Sequence, residues 1–224
     1  MHDHSQHSHK HGTSGNRIGW AFALNAGFCV IEFIGGFLTN STAIMADAVH
    51  DLGDSLSIGS AWLLERLSKK NQDQVFTYGY RRLSLFGALI NSIILVVGST
   101  WVLFLSVPRL FNPQMPMAEG MLGLAVLGIT VNGFAAYKLS GGQTMNEKVL
   151  NWHLLEDVLG WTAVLLVSIV LLFVDWPILD PLLAVIFTSF ILFNVYKYFK
   201  ETLKIFFQAA PASLLLHKIN QELN

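Results

Sequence analysis

Charge is scarce in this chain. Only 13% of its 224 residues are Asp, Glu, Lys or Arg, 53% are hydrophobic, and the mean hydropathy is +0.49. A soluble domain carries about a quarter charged residues, so this composition excludes an ordinary soluble enzyme or a nucleic-acid-binding module. Cysteine is almost absent. Cys29 is the single one, so no intrachain disulfide can form, and it reads as a small buried hydrophobe that leaves the redox compartment open. No basic-then-apolar leader opens the chain, whose first residues are polar and His-rich, and no cleavable signal peptide is expected. The motifs of membrane-embedded hydrolysis are also missing, with neither His-Glu-x-x-His nor Gly-x-Ser-x-Gly present.

What is present is hydrophobic length. Crossing about 30 Å of hydrocarbon takes about 20 residues. Six stretches are long and apolar enough: 18–38, 43–65, 83–106, 117–139, 149–174 and 178–198. The expected fold is an all-α membrane protein of six transmembrane helices. Of the 14 basic residues, Lys10, Arg17, Arg66, Lys69, Lys70, Arg81, Arg82, Lys138, Lys148 and the four lysines from Lys197 onward fall on one side, and only Arg109 on the other. The positive-inside bias places both termini in the cytoplasm.

Three domains are expected. Residues 1–16 hold five histidines among small polar residues, which cannot bury a core and are expected to form a disordered cytoplasmic tail suited to loose metal capture. Residues 17–208 form the six-helix transmembrane domain. The connection Pro108–Glu119 is Pro-rich and expected to face outside, and Asn40-Ser41 makes the short outer turn into span two. After span six, Lys197–Gln208 reads as a helix leaving the membrane, Pro211 breaks it, and Ser213 is placed to cap a last short helix. His217, in that tail, reads as incidental.

The chemistry lies in the acids. Six stand inside the spans away from their ends by this reading: Glu32, Asp47, Asp51, Asp54, Glu156 and Asp157, with no Lys or Arg at that depth to pair with them. Carboxylates in low dielectric must take up protons or bind a cation, and ionisable groups at membrane depth mark ion or proton pathways. Two pairs share one spacing, His50-x-x-x-Asp54 and His153-x-x-x-Asp157. Residues four apart share a helix face, so each pair presents an imidazole beside a carboxylate. Two such faces turned together make an N2O2 cage suited to tetrahedral Zn²⁺. Nitrogen ligands disfavour Mg²⁺ and Ca²⁺, and the lack of thiolates disfavours Cu(I), leaving Co²⁺ and Cd²⁺ as competitors. A divalent ion neutralises the two aspartates, and so would two protons, which is the thermodynamic root of metal–proton exchange. Asp47 reads as either a support for a ligand or a proton acceptor. Asp51 is read as facing interfacial water or a neighbouring helix. Asn25, Asn91, Asn132 and Glu156 read as packing or hydrogen-bonding groups.

The run Asn25…Glu32…Gly36…Asn40-Ser41-Thr42-Ala43-Ile44-Met45-Ala46-Asp47-Ala48-Val49-His50-Asp51-Leu52-Gly53-Asp54-Ser55 resembles the signature of the cation diffusion facilitator family. Tyr78-Gly79-Tyr80-Arg81-Arg82 is similar to that family's start of the third helix, and His153-x-x-x-Asp157 to its fifth. The resemblance covers nearly the whole chain. It implies a six-helix homodimer in the membrane that exports Zn²⁺ and related ions in exchange for protons, with His50, Asp54, His153 and Asp157 as the transport site. It also implies a cytoplasmic ferredoxin-like domain, of which residues 209–224 look like the opening and the remainder is missing. The family's loop metal site is not expected here, because the loop has Asp73 but no histidine.

The expectation is therefore a multi-pass transporter of a cell membrane, a bacterial inner membrane by preference, exporting Zn²⁺ or else Co²⁺ or Cd²⁺ against protons. It has no catalytic residue, no resident cofactor and no nucleic-acid partner. The competing readings are an intramembrane metalloenzyme and a passive divalent-metal channel. A cage closed by four ligands leaves no open position for activated water, which counts against the enzyme.

Overall fold

The computed structural model describes residues 11–68, 82–141 and 145–207. The motif Tyr78–Arg81, Asp73 and its loop, residues 1–10 of the His-rich tail and the terminal stretch with His217 lie outside the described residues. Six helices follow in chain order: α1 His11–Thr39, α2 Thr42–Ser68, α3 Arg82–Phe111, α4 Ala118–Leu139, α5 Met145–Phe173 and α6 Leu179–Phe206. Five are long and apolar enough to cross a membrane. The exception, α2, has 27 residues and so about 40 Å of length, but Asp47, Asp51 and Asp54 interrupt its apolarity. It lies at the centre of the bundle, packed against α1, α3 and α6, while α4 pairs with α5 and leans on α1. The result is a multi-pass membrane fold turned inside out relative to a soluble one. Phe37, Phe104, Phe173 and Phe193 stand on its outer surface, each more than 70% exposed, where lipid rather than water is the compatible solvent.

Two expectations about boundaries change. Helix α1 begins at His11, so residues 11–16 of the expected disordered tail are helical. Extending an existing helix adds one hydrogen bond per residue and needs no new nucleus. Pro108 was read as opening the outer connection but lies inside the last turn of α3. The helix survives it briefly, with the Asn112 amide donating to the Pro108 carbonyl at 3.0 Å, before the chain turns toward α4.

The tightest turn joins α1 to α2. Asn40 takes a left-handed backbone, φ 53°, a conformation Asn tolerates better than most side chains. The Ser41 amide then reaches back to the Gly36 carbonyl at 3.0 Å and the Asn40 amide to that of Phe37 at 3.2 Å, the paired bonds of a Schellman ending. Ser41 next caps α2, its Oγ accepting from the Ile44 amide at 3.2 Å.

The apolar core fills the half of the bundle nearest this turn. Phe28, Ile44, Met121, Trp161, Val164 and Ala184 bring all helices but α3 together there, and Val102 adds α3. Cys29 is buried with them, as expected, its thiol donating to the Ala48 carbonyl at 3.4 Å. Trp161 is wholly buried and lies flat against Gly128 of α4, where an added methyl would collide with the indole. Small residues of this kind let membrane helices approach closely. Replacing Gly128 with Ala is expected to destabilise the protein by about 1–3 kcal/mol, as overpacking does. Gly123→Ala, on the same helix with nothing within 4 Å, leaves thermal unfolding in detergent unchanged or slightly raised.

Candidate metal centre

Helices α2 and α5 hardly touch elsewhere, yet their His/Asp pairs meet. The His50 Nε2 lies 3.4 Å from the Asp54 Oδ2 on its own helix. The His153 Nε2 reaches across from α5 to within 3.0 Å of that same Asp54 oxygen. The two imidazole rings stand 5.6 Å apart at 74°. One ligand atom from each of His50, Asp54 and His153 lies within 4.8 Å of the others. With metal–ligand bonds of about 2.0–2.1 Å, a tetrahedron has edges of about 3.3 Å, so these separations are close to those of a coordination shell.

Asp157 stands at the edge of this group. Its Oδ2 is 3.7 Å from the His153 Nε2, one turn along α5, and its side chain is nearly fully buried while the other three are part-exposed. The structure thus brings three of the four expected residues into mutual reach and the fourth beside them. None of the converging atoms is consumed elsewhere. The Asp54 Oδ2, the His153 Nε2 and both Asp157 oxygens have no hydrogen-bond partner among the described residues, and buried polar atoms left in that condition need an explanation.

The remaining acids sort by depth. Asp51 is fully buried and faces Glu32 of α1, which the Trp161 indole also approaches; of the two expected settings for Asp51, the neighbouring helix holds. Asp47 lies one turn beyond His50 and faces Gly160, with its Oδ2 unpartnered. Glu156 departs from expectation. It was counted with the buried carboxylates but is exposed at the cavity wall, one position off the inward face of α5 that carries His153 and Asp157. Asn25 donates to Ser55 at 3.4 Å and Asn91 to Ser57 at 2.5 Å, as hydrogen-bonding groups should. Asn132 is wholly buried with neither amide atom bonded among the described residues.

A seventh acid escaped the count of six. Asp180, in the first turn of α6, is 1% exposed and is bonded to residues near the start of α2. Its local signal was modest, an acid in a helix's first turn directly before Pro181, and its partners lie 137–139 residues earlier in the chain.

The centre opens in one direction. A cavity of about 760 Å³ is lined by Asp47, His50, Asp54 and Asp157 at its floor and extends past Asn91 to Tyr198 near the carboxyl end of α6. That is the end of the bundle from which α1 starts and at which α6 stops. Toward the other end the apolar core closes it.

Comparison with known proteins points to one family. Residues 20–207 match the family described as the cation efflux transmembrane domain. A cadmium, cobalt and zinc/H(+)-K(+) antiporter of Bacillus subtilis is 32% identical, the match covering 93% of this chain and 68% of that protein. The zinc transporter ZitB of Escherichia coli is 27% identical over 97% of this chain and 72% of its own length. The metal cation efflux system protein CzcD of Cupriavidus metallidurans is 28% identical over 97% and 70%. With most of its length matched and its two His/Asp pairs converging inside a membrane bundle, this chain belongs to the cation efflux family, a family of membrane transporters rather than enzymes.

Proposed function

We propose that this protein exports Zn²⁺ from the cytoplasm in exchange for protons, and that His50, Asp54, His153 and Asp157 hold the ion in transit. The observation that carries the reading is the meeting of His50, Asp54 and His153 across two helices, with Asp157 a short side-chain movement away. Two carboxylates and two neutral imidazoles match the charge of one divalent ion, and protons on the carboxylates match it equally. The empty, dianionic cage is the costly state in a low-dielectric bundle. Occupancy therefore alternates between metal and protons, which is what an exchanger needs. Only neutral imidazole binds metal, so the site responds to pH in the physiological range. The names of the relatives, which include zinc, cadmium and cobalt, support Zn²⁺ with Co²⁺ or Cd²⁺ as further substrates.

The same reading assigns the rest of the chain. Residues 17–208 are the transport unit, residues 209–224 the opening of a cytoplasmic domain, and the histidines of residues 1–16 a loose collector of metal at the mouth. The basic-residue bias puts both termini in the cytoplasm, so the cavity is the cytoplasmic vestibule and the conformation faces inward. The bacterial sources of the relatives support an inner membrane, and the resemblance supports a homodimer.

Proteoliposomes holding a pH-sensitive dye test the reading. Zn²⁺ added to one side drives proton flux in the wild type, and Asp54→Ala and Asp157→Ala each reduce it by at least about tenfold, since a lost ligand weakens a metal site at least as much as a lost outer partner does. Full flux in both variants would refute the assignment of these residues. A second arm separates exchange from passive conduction: dissipating the pH gradient abolishes uphill Zn²⁺ accumulation in an exchanger, whereas a channel equilibrates Zn²⁺ at the same rate with or without it.

A further inference from the structure

Arg109 is the one basic residue on the side of the membrane where the positive-inside bias puts none, and Asp180 is a buried carboxylate with no cation paired to it among the described residues. Both are explained at one place. The Arg109 guanidinium, from the last turn of α3, donates to the Asn40 carbonyl at 2.9 Å and to the Asn40 Oδ1 at 2.7 Å. The Asp180 carboxylate, from the first turn of α6, accepts from the Ser41 hydroxyl at 2.5 Å, the Thr42 amide at 2.7 Å, the Thr42 hydroxyl at 2.8 Å and the Ala43 amide at 3.2 Å. Four consecutive residues, Asn40 to Ala43, are thus gripped by an arginine from one helix and an aspartate from another.

The grip has a mechanical meaning. The first amides of α2 lack partners within their own helix, and the negative charge of Asp180 sits at the positive end of that helix's dipole. Helices α3 and α6 pack against each other as a pair. At the inner end that pair stands away from α5 around the cavity, with Asn91 and Tyr198 on its walls. At the outer end both members are fastened to the same turn. The helix so fastened, α2, carries His50 and Asp54.

We propose that Asp180 and Arg109 form a clasp that holds the outer end of the metal path shut, and that releasing the α1–α2 turn from the α3–α6 pair is the step that opens the metal centre to the outside. Asp180 and Arg109 are positioning residues in this scheme; neither touches the ion. Outward opening has to part the two bodies where the clasp joins them, and the bonds there are polar and exchangeable with water once wetted, unlike the apolar core of Phe28, Ile44 and Trp161 beneath. The proposal rests on the exchange reading above, and its test is built so that the two can fail separately.

The test uses the full chain in cells with Cys29→Ser and a reporter thiol, Ala184→Cys, on α6 one turn below Asp180 at a position wholly buried in the core. A membrane-impermeant maleimide is applied from outside. Asp180→Asn, which replaces an acceptor facing two donors with an amide donor, is expected to raise the labelling rate about tenfold, and Arg109→Gln and Thr42→Val to raise it by smaller factors. The apparent KM for cytoplasmic Zn²⁺ rises only as far as the inward-facing fraction falls, while purified Asp180→Asn protein still binds one Zn²⁺ per chain by calorimetry. Unchanged labelling in all three variants overturns the clasp, and so does faster labelling accompanied by loss of Zn²⁺ binding, which would mark a merely structural role. If Asp180→Asn fails to insert, Arg109→Gln and Thr42→Val decide with the same readouts. Failure of the unclasped and wild-type proteins alike to bind Zn²⁺ would defeat the exchange reading, with the labelling rates still judging the clasp.

Discussion

Negative charge without a resident counter-ion governs this molecule. Glu32, Asp47, Asp51 and Asp157 are buried among helices that otherwise face lipid, and among the described residues no lysine or arginine pairs with them. An ionised carboxylate left unpaired in such a medium is unstable by many times thermal energy. Such acids either hold a proton or take a cation, and the proposed exchange uses both states. Within the proposed exchange, the ligands supply the metal's coordination shell, and the surrounding acids raise the cost of an empty centre. Transport follows from that cost without any further device to couple the two fluxes.

The same constraint is met differently at two points along α2. Near its middle, Asp54, with Asp157 of α5 beside it, faces a cavity with only imidazoles for company. At its start, Asp180 receives two hydroxyls and two backbone amides and needs no ion. One carboxylate is therefore held by protein and the others are held open. The open ones point to movement of ions, and the satisfied one to the frame that moves around them.

The parts legible in the sequence are those that depend on short-range periodicity. Hydropathy gave the helices to within several residues, because crossing hydrocarbon demands a minimum apolar length, and spacings of four named both His/Asp pairs, because that spacing fixes a shared helix face. What the sequence hid depends on contacts between distant elements. Asp180 shows its role only beside Ser41 and Thr42, and Arg109 only beside Asn40. Glu156 adjoins Asp157 in sequence, but the hundred degrees of rotation between neighbours turns it to the cavity wall. The extension of α1 to His11 was hidden for another reason, since helix continuation beyond an apolar stretch leaves no mark in composition. The off-centre place of Asp157 likewise depends on how α5 is tilted against α2, which spacing does not encode.

The central claim, that two imidazoles and two carboxylates from α2 and α5 form the shell of the carried ion, is tested most directly by X-ray absorption at the zinc edge of the purified, zinc-loaded chain. The account predicts about four nitrogen or oxygen neighbours at about 2.0 Å, with outer-shell scattering from two imidazole rings that is lost when His50 and His153 are both replaced by alanine. A six-coordinate oxygen shell with no imidazole scattering would contradict it.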